Sequence, residues 1–206
     1  MRYYARVAHV PVEHAPHSEG ASAMGDQGAI ETSAGYTATA RALHWITAIL
    51  VLAQIVLGIL IANKWTGAWQ DELYNLHKSN GAVLIPIILI RIFYRWGHPP
   101  PPLPADIPAM QQFAAHTTHY LLYGLVVVQV FLGWIGTASY PAPVPIYGLF
   151  NLPSIWPENR ALSEQLLAVH RIVGISIAVV AAMHIGAALF HHFVRKDRVL
   201  MRMISG

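Results

Sequence analysis

Twelve histidines and no cysteine limit the chemistry open to this chain of 206 residues. Without thiols there are no disulfides, no thiolate-held iron–sulfur clusters and no Cys-x-x-Cys-His attachment of a c-type haem. Any metal centre must therefore be built from imidazole. Five of the histidines stand in long apolar stretches or at their ends: His44, His77, His119, His170 and His184. The interval from His170 to His184 is close to four helical turns, so on one helix they share a face and lie about 21 Å apart along the axis. Fully charged groups inside a membrane span cost roughly 2.5–3.5 kcal/mol on insertion scales, and a neutral imidazole must still satisfy two ring nitrogens. One such histidine reads as a packing or interfacial residue. Several together need a common cause, and the spacing suits two metal centres at two depths that share one helix.

The elements that must position them follow from composition. Hydrophobic residues make up 55% of the chain and charged residues 11%, against about 25% charged in a soluble domain. An ordinary soluble domain is excluded. Four stretches are long enough for the roughly 20 residues that cross a hydrocarbon core: residues 42–62, 77–96, 116–136 and 167–193. The reading is an all-α, integral membrane four-helix bundle, a single domain over residues 36–206, with no repeat of solenoid type. Between the spans, 63–76 carries aromatics suited to a membrane interface. The run HPPPPLPADIP cannot be helical, and residues 139–160 read as a long proline-punctuated surface loop. Residues 1–35 contain no apolar run of signal-peptide length. They are rich in Gly, Ala, Ser, Pro and His and are expected to be a disordered extension, with Met24 an alternative start.

Lysine and arginine set the direction. With the N-terminus inside, nine of them fall on the inner side and four, Lys64, Lys78, Arg160 and Arg171, on the outer. Both termini are thus expected in the cytoplasm, in a bacterial inner membrane. The net charge of +3 reflects this clustering at helix ends and implies no nucleic acid. Topology then pairs the histidines by depth. His44 opens the first span inside, where His184 ends its run down the fourth; His77 opens the second span outside, level with His170. Bis-imidazole ligation of two b-type haems follows, by His44 with His184 and His77 with His170. A porphyrin passing a helix needs small residues. Gly58 follows His44, and Gly133 follows His119, at the interval that separates His170 from His184.

Other residues take supporting parts. Arg91 follows His77 at that same interval and faces the bundle at the inner depth, where a haem propionate or a buried charge is expected. Lys78 and Arg171 follow the outer ligands and could pair with propionates or draw in an anion. His119 could bond a propionate or line a quinone site. His191, about two turns after His184, is the candidate for a quinone headgroup at the cytoplasmic side, with Arg41 and Arg195 at similar depth. The run RKDR at 195–198 reads as a stop-transfer signal.

These residues resemble the bacterial cytochrome b561 family over residues 36–206: ALHW at 42–45, NLHKSNG at 75–81, HTTHYLLYGL at 116–125, LAVHRIVG at 167–174 and MHIGAALFHHFVRKDRVLMRM at 183–203. The N-terminal extension departs from the family pattern. The resemblance implies the same four axial ligands. It also implies electron transfer from superoxide at the periplasmic face to ubiquinone at the cytoplasmic side. Two alternatives stand beside it. One is a cytochrome b anchor relaying electrons between quinone and a separate dehydrogenase or hydrogenase. The other is a haem-free membrane transporter or scaffold. The partners expected are membrane lipid, a quinone, superoxide or a redox protein, and a second copy in a homo-oligomer is compatible with the reading.

Overall fold

A backbone in lipid has no water to bond, so each crossing segment must satisfy its own amides, and the α-helix does this. The computed structural model describes residues 35–63 and 67–206. Residues 1–34, with Met24, and Lys64 lie outside the described residues. Four long helices carry the fold: α1 (Ala38–Asn63), α2 (Gln70–Gly97), α3 (Ala109–Ala138) and α4 (Arg160–Phe190). Each is apolar and long enough to span a membrane; the first three contain the expected spans 42–62, 77–96 and 116–136, and the fourth, 167–193, runs from α4 three residues into the turn that follows it. Large apolar side chains point outward along them. Ile49, Ile172 and Met183 are 64%, 64% and 66% exposed, which in lipid costs nothing and in water would be prohibitive.

The helix ends explain where the chain turns. One turn of 3₁₀ helix, Gly67–Trp69, leads into α2. Asp71 and Glu72 occupy the first turn of α2, where carboxylates favour the positive end of the helix dipole. The helix therefore takes in residues 70–76, which the sequence reading left in a loop. Pro86 sits inside α2 and removes one backbone bond. The prolines at 99–102 follow at once after α2 and enforce an irregular crossing to α3. Asn159 caps α4, its side-chain oxygen accepting from Leu162 N at 3.0 Å.

The connection between α3 and α4 is more ordered than a proline-punctuated surface loop. Val144–Ile146 (β1) and Phe150–Leu152 (β2) pair as an antiparallel hairpin. Its turn holds Tyr147 and Gly148 at positive φ, 48° and 74°. Local alternation was too short to announce these strands. What holds them is tertiary: Ser79 of α2 donates to Pro145 O at 2.8 Å and accepts from Tyr147 N at 3.0 Å. Tyr147 also donates its hydroxyl hydrogen to the Asn80 side chain.

Inside the bundle, α1 packs on α2 and α3 on α4, and α2 meets α3, while α1 and α4 scarcely touch. Leu84 and Ile88 of α2, Val126 and Val130 of α3 and Ile177 of α4 form the buried centre. At the far end α4 widens into a π-helical turn, His191–Arg195, and Lys196 reverses the chain at φ 58°. A short helix α5, Met201–Ile204, then folds under the bundle. Arg202, 7% exposed, donates to Pro102 O at 2.8 Å.

Candidate functional site

His77 begins the membrane-crossing part of α2 beneath the hairpin, and His170 faces it from α4. Their ring centroids are 6.1 Å apart and their planes cross at 79°. Gln129 of α3 orients His170. The His170 Nδ1 lies 3.0 Å from the Gln129 main-chain carbonyl, which can only accept, so Nδ1 carries the proton. The lone pair is left on Nε2, where the Gln129 amide donates at 3.2 Å. Gln54 of α1 donates to the His77 carbonyl at 3.0 Å. His77 Nδ1 and the side-chain oxygens of Gln54 and Gln129 are buried without a hydrogen-bond partner, a cost a native interior rarely leaves uncompensated.

The second cluster lies about four turns further along α4. His44 of α1 and His184 of α4 have ring centroids 6.3 Å apart at 65°. His119 of α3 comes to 5.1 Å from His184. Arg91 Nη2 donates to His44 Nδ1 at 2.9 Å, since a guanidinium only donates, and the same guanidinium lies 5.0 Å over the Tyr123 ring. Arg91 also lines a cleft with Tyr36, Tyr94 and Arg95.

Distance decides what such pairs can hold. Metal–imidazole bonds of about 2 Å place two rings on opposite sides of one ion with centroids about 6 Å apart. Both pairs, at 6.1 and 6.3 Å, meet that requirement; His119 with His184, at 5.1 Å, is too close. Among the described residues no group of three His, Asp or Glu could cage a bare ion. Each pair therefore suits an iron that brings further nitrogens of its own, and a glycine faces one ring of the outer pair closely and the other at ordinary contact distance. A Cβ on Gly133 would stand 3.0 Å from His170 Cε1, and one on Gly58 3.8 Å from His77 Cε1.

His191 stands in the π turn beyond His184. Its Nδ1 is 2.5 Å from Asp197 Oδ2, with both side chains largely buried. Arg195 reaches the same oxygen at 3.3 Å and binds Asp106 at 3.1 Å. Burial raises the Asp197 carboxyl, but the hydrogen bonds from His191 and the Val199 amide and the nearby cations outweigh it, so it is held below its usual range. Arg195 thus joins His191, whereas Arg41 donates to Tyr36 O at 3.1 Å. Lys78 donates to Pro143 O at 3.1 Å and so ties the hairpin to α2, while Arg171 is exposed. Gln54 and Gln129 were missed from sequence. The signal was available, because each stands about one helical turn before its glycine, Gly58 or Gly133, and about three turns after a histidine, His44 or His119.

The chain is similar to known proteins over most of its length. The family model for prokaryotic cytochrome b561 matches residues 35–206. "Cytochrome b561 homolog 2" of Escherichia coli is 32% identical over 172 residues, 82% of this chain and 91% of that protein. "Probable superoxide oxidase CybB" of Yersinia pestis is 25% identical over 169 residues, 82% and 95% of the two chains. "Cytochrome b561 homolog 1" of Escherichia coli is 26% identical over 166 residues, 79% and 92%. The chain belongs to the prokaryotic cytochrome b561 family: it is a multi-pass inner-membrane protein of electron transfer that binds b-type haem.

Proposed function

We propose that this chain carries electrons across the membrane through two b-type haems, oxidising superoxide at the periplasmic face and reducing ubiquinone at the cytoplasmic side. The observation that carries the reading is the two facing imidazole pairs, at 6.1 and 6.3 Å. They are separated along α4 by the interval from His170 to His184. His77 and His170 hold the outer haem, and His44 and His184 the inner one. When bound, haem supplies one-electron exchange at each depth.

The rest of the work falls to side chains. The Gln129 carbonyl keeps the His170 proton on Nδ1, which leaves Nε2 for iron. Gly58 and Gly133 keep a methyl group out of the path of the macrocycle. Arg171, exposed at the outer end, attracts the superoxide anion, and Lys78 adds positive charge beside it. At the inner end His191 hands a proton to a quinone carbonyl, and the Asp197 carboxylate, bonded to its Nδ1, fixes the ring. His119 lines the inner site beside His184. The balance is two superoxide ions giving two molecules of oxygen, while one ubiquinone takes two electrons and two cytoplasmic protons to become ubiquinol. Support for the donor is the printed name of the Yersinia pestis relative together with the sequence resemblance.

Stopped-flow mixing tests the proposal. Superoxide should reduce the purified haem-loaded protein, and added ubiquinone should reoxidise it. In His191→Ala the first step should keep its rate and the second should slow about tenfold or more. A protein that superoxide leaves oxidised, but that a soluble dehydrogenase reduces, would instead be the anchor subunit of a larger complex.

A further inference from the structure

The helical hairpins α1–α2 and α3–α4 match one another at a set of fixed positions. His44, Leu50, Val51, Gln54, Leu57 and Gly58 of α1 recur in α3, at one constant offset, as His119, Leu125, Val126, Gln129, Leu132 and Gly133. His77, Gly81 and Ile92 of α2 recur in α4 as His170, Gly174 and Ile185, again at one constant offset. In the same register Lys78 is answered by Arg171 and Leu84 by Ile177. The packing repeats too. A Cβ on Gly81 would stand 3.1 Å from Gln54 Nε2, and one on Gly174 would stand 3.0 Å from Gln129 Nε2. The same amide thus meets the same glycine in each half, and the closely packed helix pairs are α1 with α2 and α3 with α4.

This relation explains the outer pair at once, since His77 and His170 are equivalent residues of the two copies. Applied about four turns deeper, it pairs His184 with Arg91, because each stands at the same interval after its own copy of that histidine. One copy thus carries an imidazole where the other carries a guanidinium. The Arg91 guanidinium lies 2.9 Å from His44 Nδ1, at the ring that faces His184 in its place. No lysine or arginine bonds a histidine of the outer pair among the described residues.

We propose that Arg91 occupies the axial-ligand position of the duplicated hairpin. There it leaves ligation of the inner centre to His44, whose Nδ1 must carry the proton once Nε2 meets iron, and it keeps a guanidinium beside that ring, whereas no histidine of the outer pair has a bonded cation among the described residues. A cation next to a redox ion stabilises the less positive, reduced state, and little screening reaches it in the membrane interior. The guanidinium therefore raises the potential of the inner centre above what the same two histidines would give without it. The inference rests on the assignment of His44 and His184 as inner ligands, and the experiment separates the two.

Haem is counted by pyridine haemochromogen, and the two redox steps are resolved by potentiometric titration of the purified protein. The intact chain should hold two haems and His44→Ala one; the step that vanishes marks the inner centre. Adding Arg91→His to His44→Ala should restore the second haem. Two haems in His44→Ala itself would overturn the ligand assignment and this inference with it. One haem in both variants would keep the assignment and overturn the inference. In the otherwise intact chain, Arg91→Gln should lower the potential of the inner step and leave the outer step in place. An unmoved inner step, or an equal shift in both, would refute the role of the charge.

Discussion

At the residue scale the site depends on small tolerances around imidazole. Gly133 has no slack, because a Cβ there would sit 3.0 Å from His170 Cε1, closer than carbon atoms pack. Gly133→Leu should therefore displace the His170 ring, and haem content should fall from two per chain to one by pyridine haemochromogen. Gly124 is the control. Nothing lies within 4 Å of a Cβ placed there, so Gly124→Ala should keep both haems and stabilise the helix by about 0.5–1 kcal/mol. His184→Ala removes one partner of the inner pair and should abolish one haem spectrum while leaving the other. An unaltered spectrum would place the inner ligand elsewhere.

At the element scale two docked segments close the ends of the bundle. The hairpin hangs on Ser79, 2% exposed, whose single hydroxyl hydrogen is shared between Pro145 O and Asn75 O, each at 2.8 Å. Ser79→Ala strands the Tyr147 amide and should cost about 1–3 kcal/mol, read as a lower thermal midpoint in detergent and faster hydrogen exchange at residues 144–152. The other end is closed through Asp197, whose oxygens take His191, Arg195 and the Val199 amide. The folded carboxyl is held low, so its contribution is fully present above the unfolded value of about 3.9 and is lost as pH falls through the folded value. Protease access to residues 196–206 should accordingly stay constant from neutral pH to about pH 4 and rise below that. In Asp197→Asn it should be raised already at neutral pH and change little as pH falls.

At the scale of the molecule the question is direction. Nine lysines and arginines against four argue for both termini in the cytoplasm. The hairpin and the His77–His170 pair then lie toward the outside, and the His44–His184 pair toward the inside. A reporter fused within the loop at Asn151 should appear in the periplasm, and one fused after Gly206 in the cytoplasm. The opposite pattern would exchange the faces of the two centres and put His191 on the periplasmic side.

Sequence alone determined the class of molecule and the candidate ligand histidines, because both rest on one-dimensional regularities. Span length reads off apolar runs. The shared face of His170 and His184 on α4 reads off their interval, since about 3.6 residues per turn is a fixed ruler. Glycine spacing followed from the same ruler, and the halves of the duplication share it. What the ruler cannot measure is contact between helices. That Gln129 turns His170, that Arg91 reaches His44 rather than solvent, and that His119 stops 5.1 Å from His184 depend on how four cylinders rotate against one another. The hairpin depends on contacts between residues far apart in the chain, such as Ser79 with Pro145. The Asp197 lock depends on a π turn that shifts the register after Phe190. Tertiary packing decided these because each is worth only a few hydrogen bonds, formed after the helices have met.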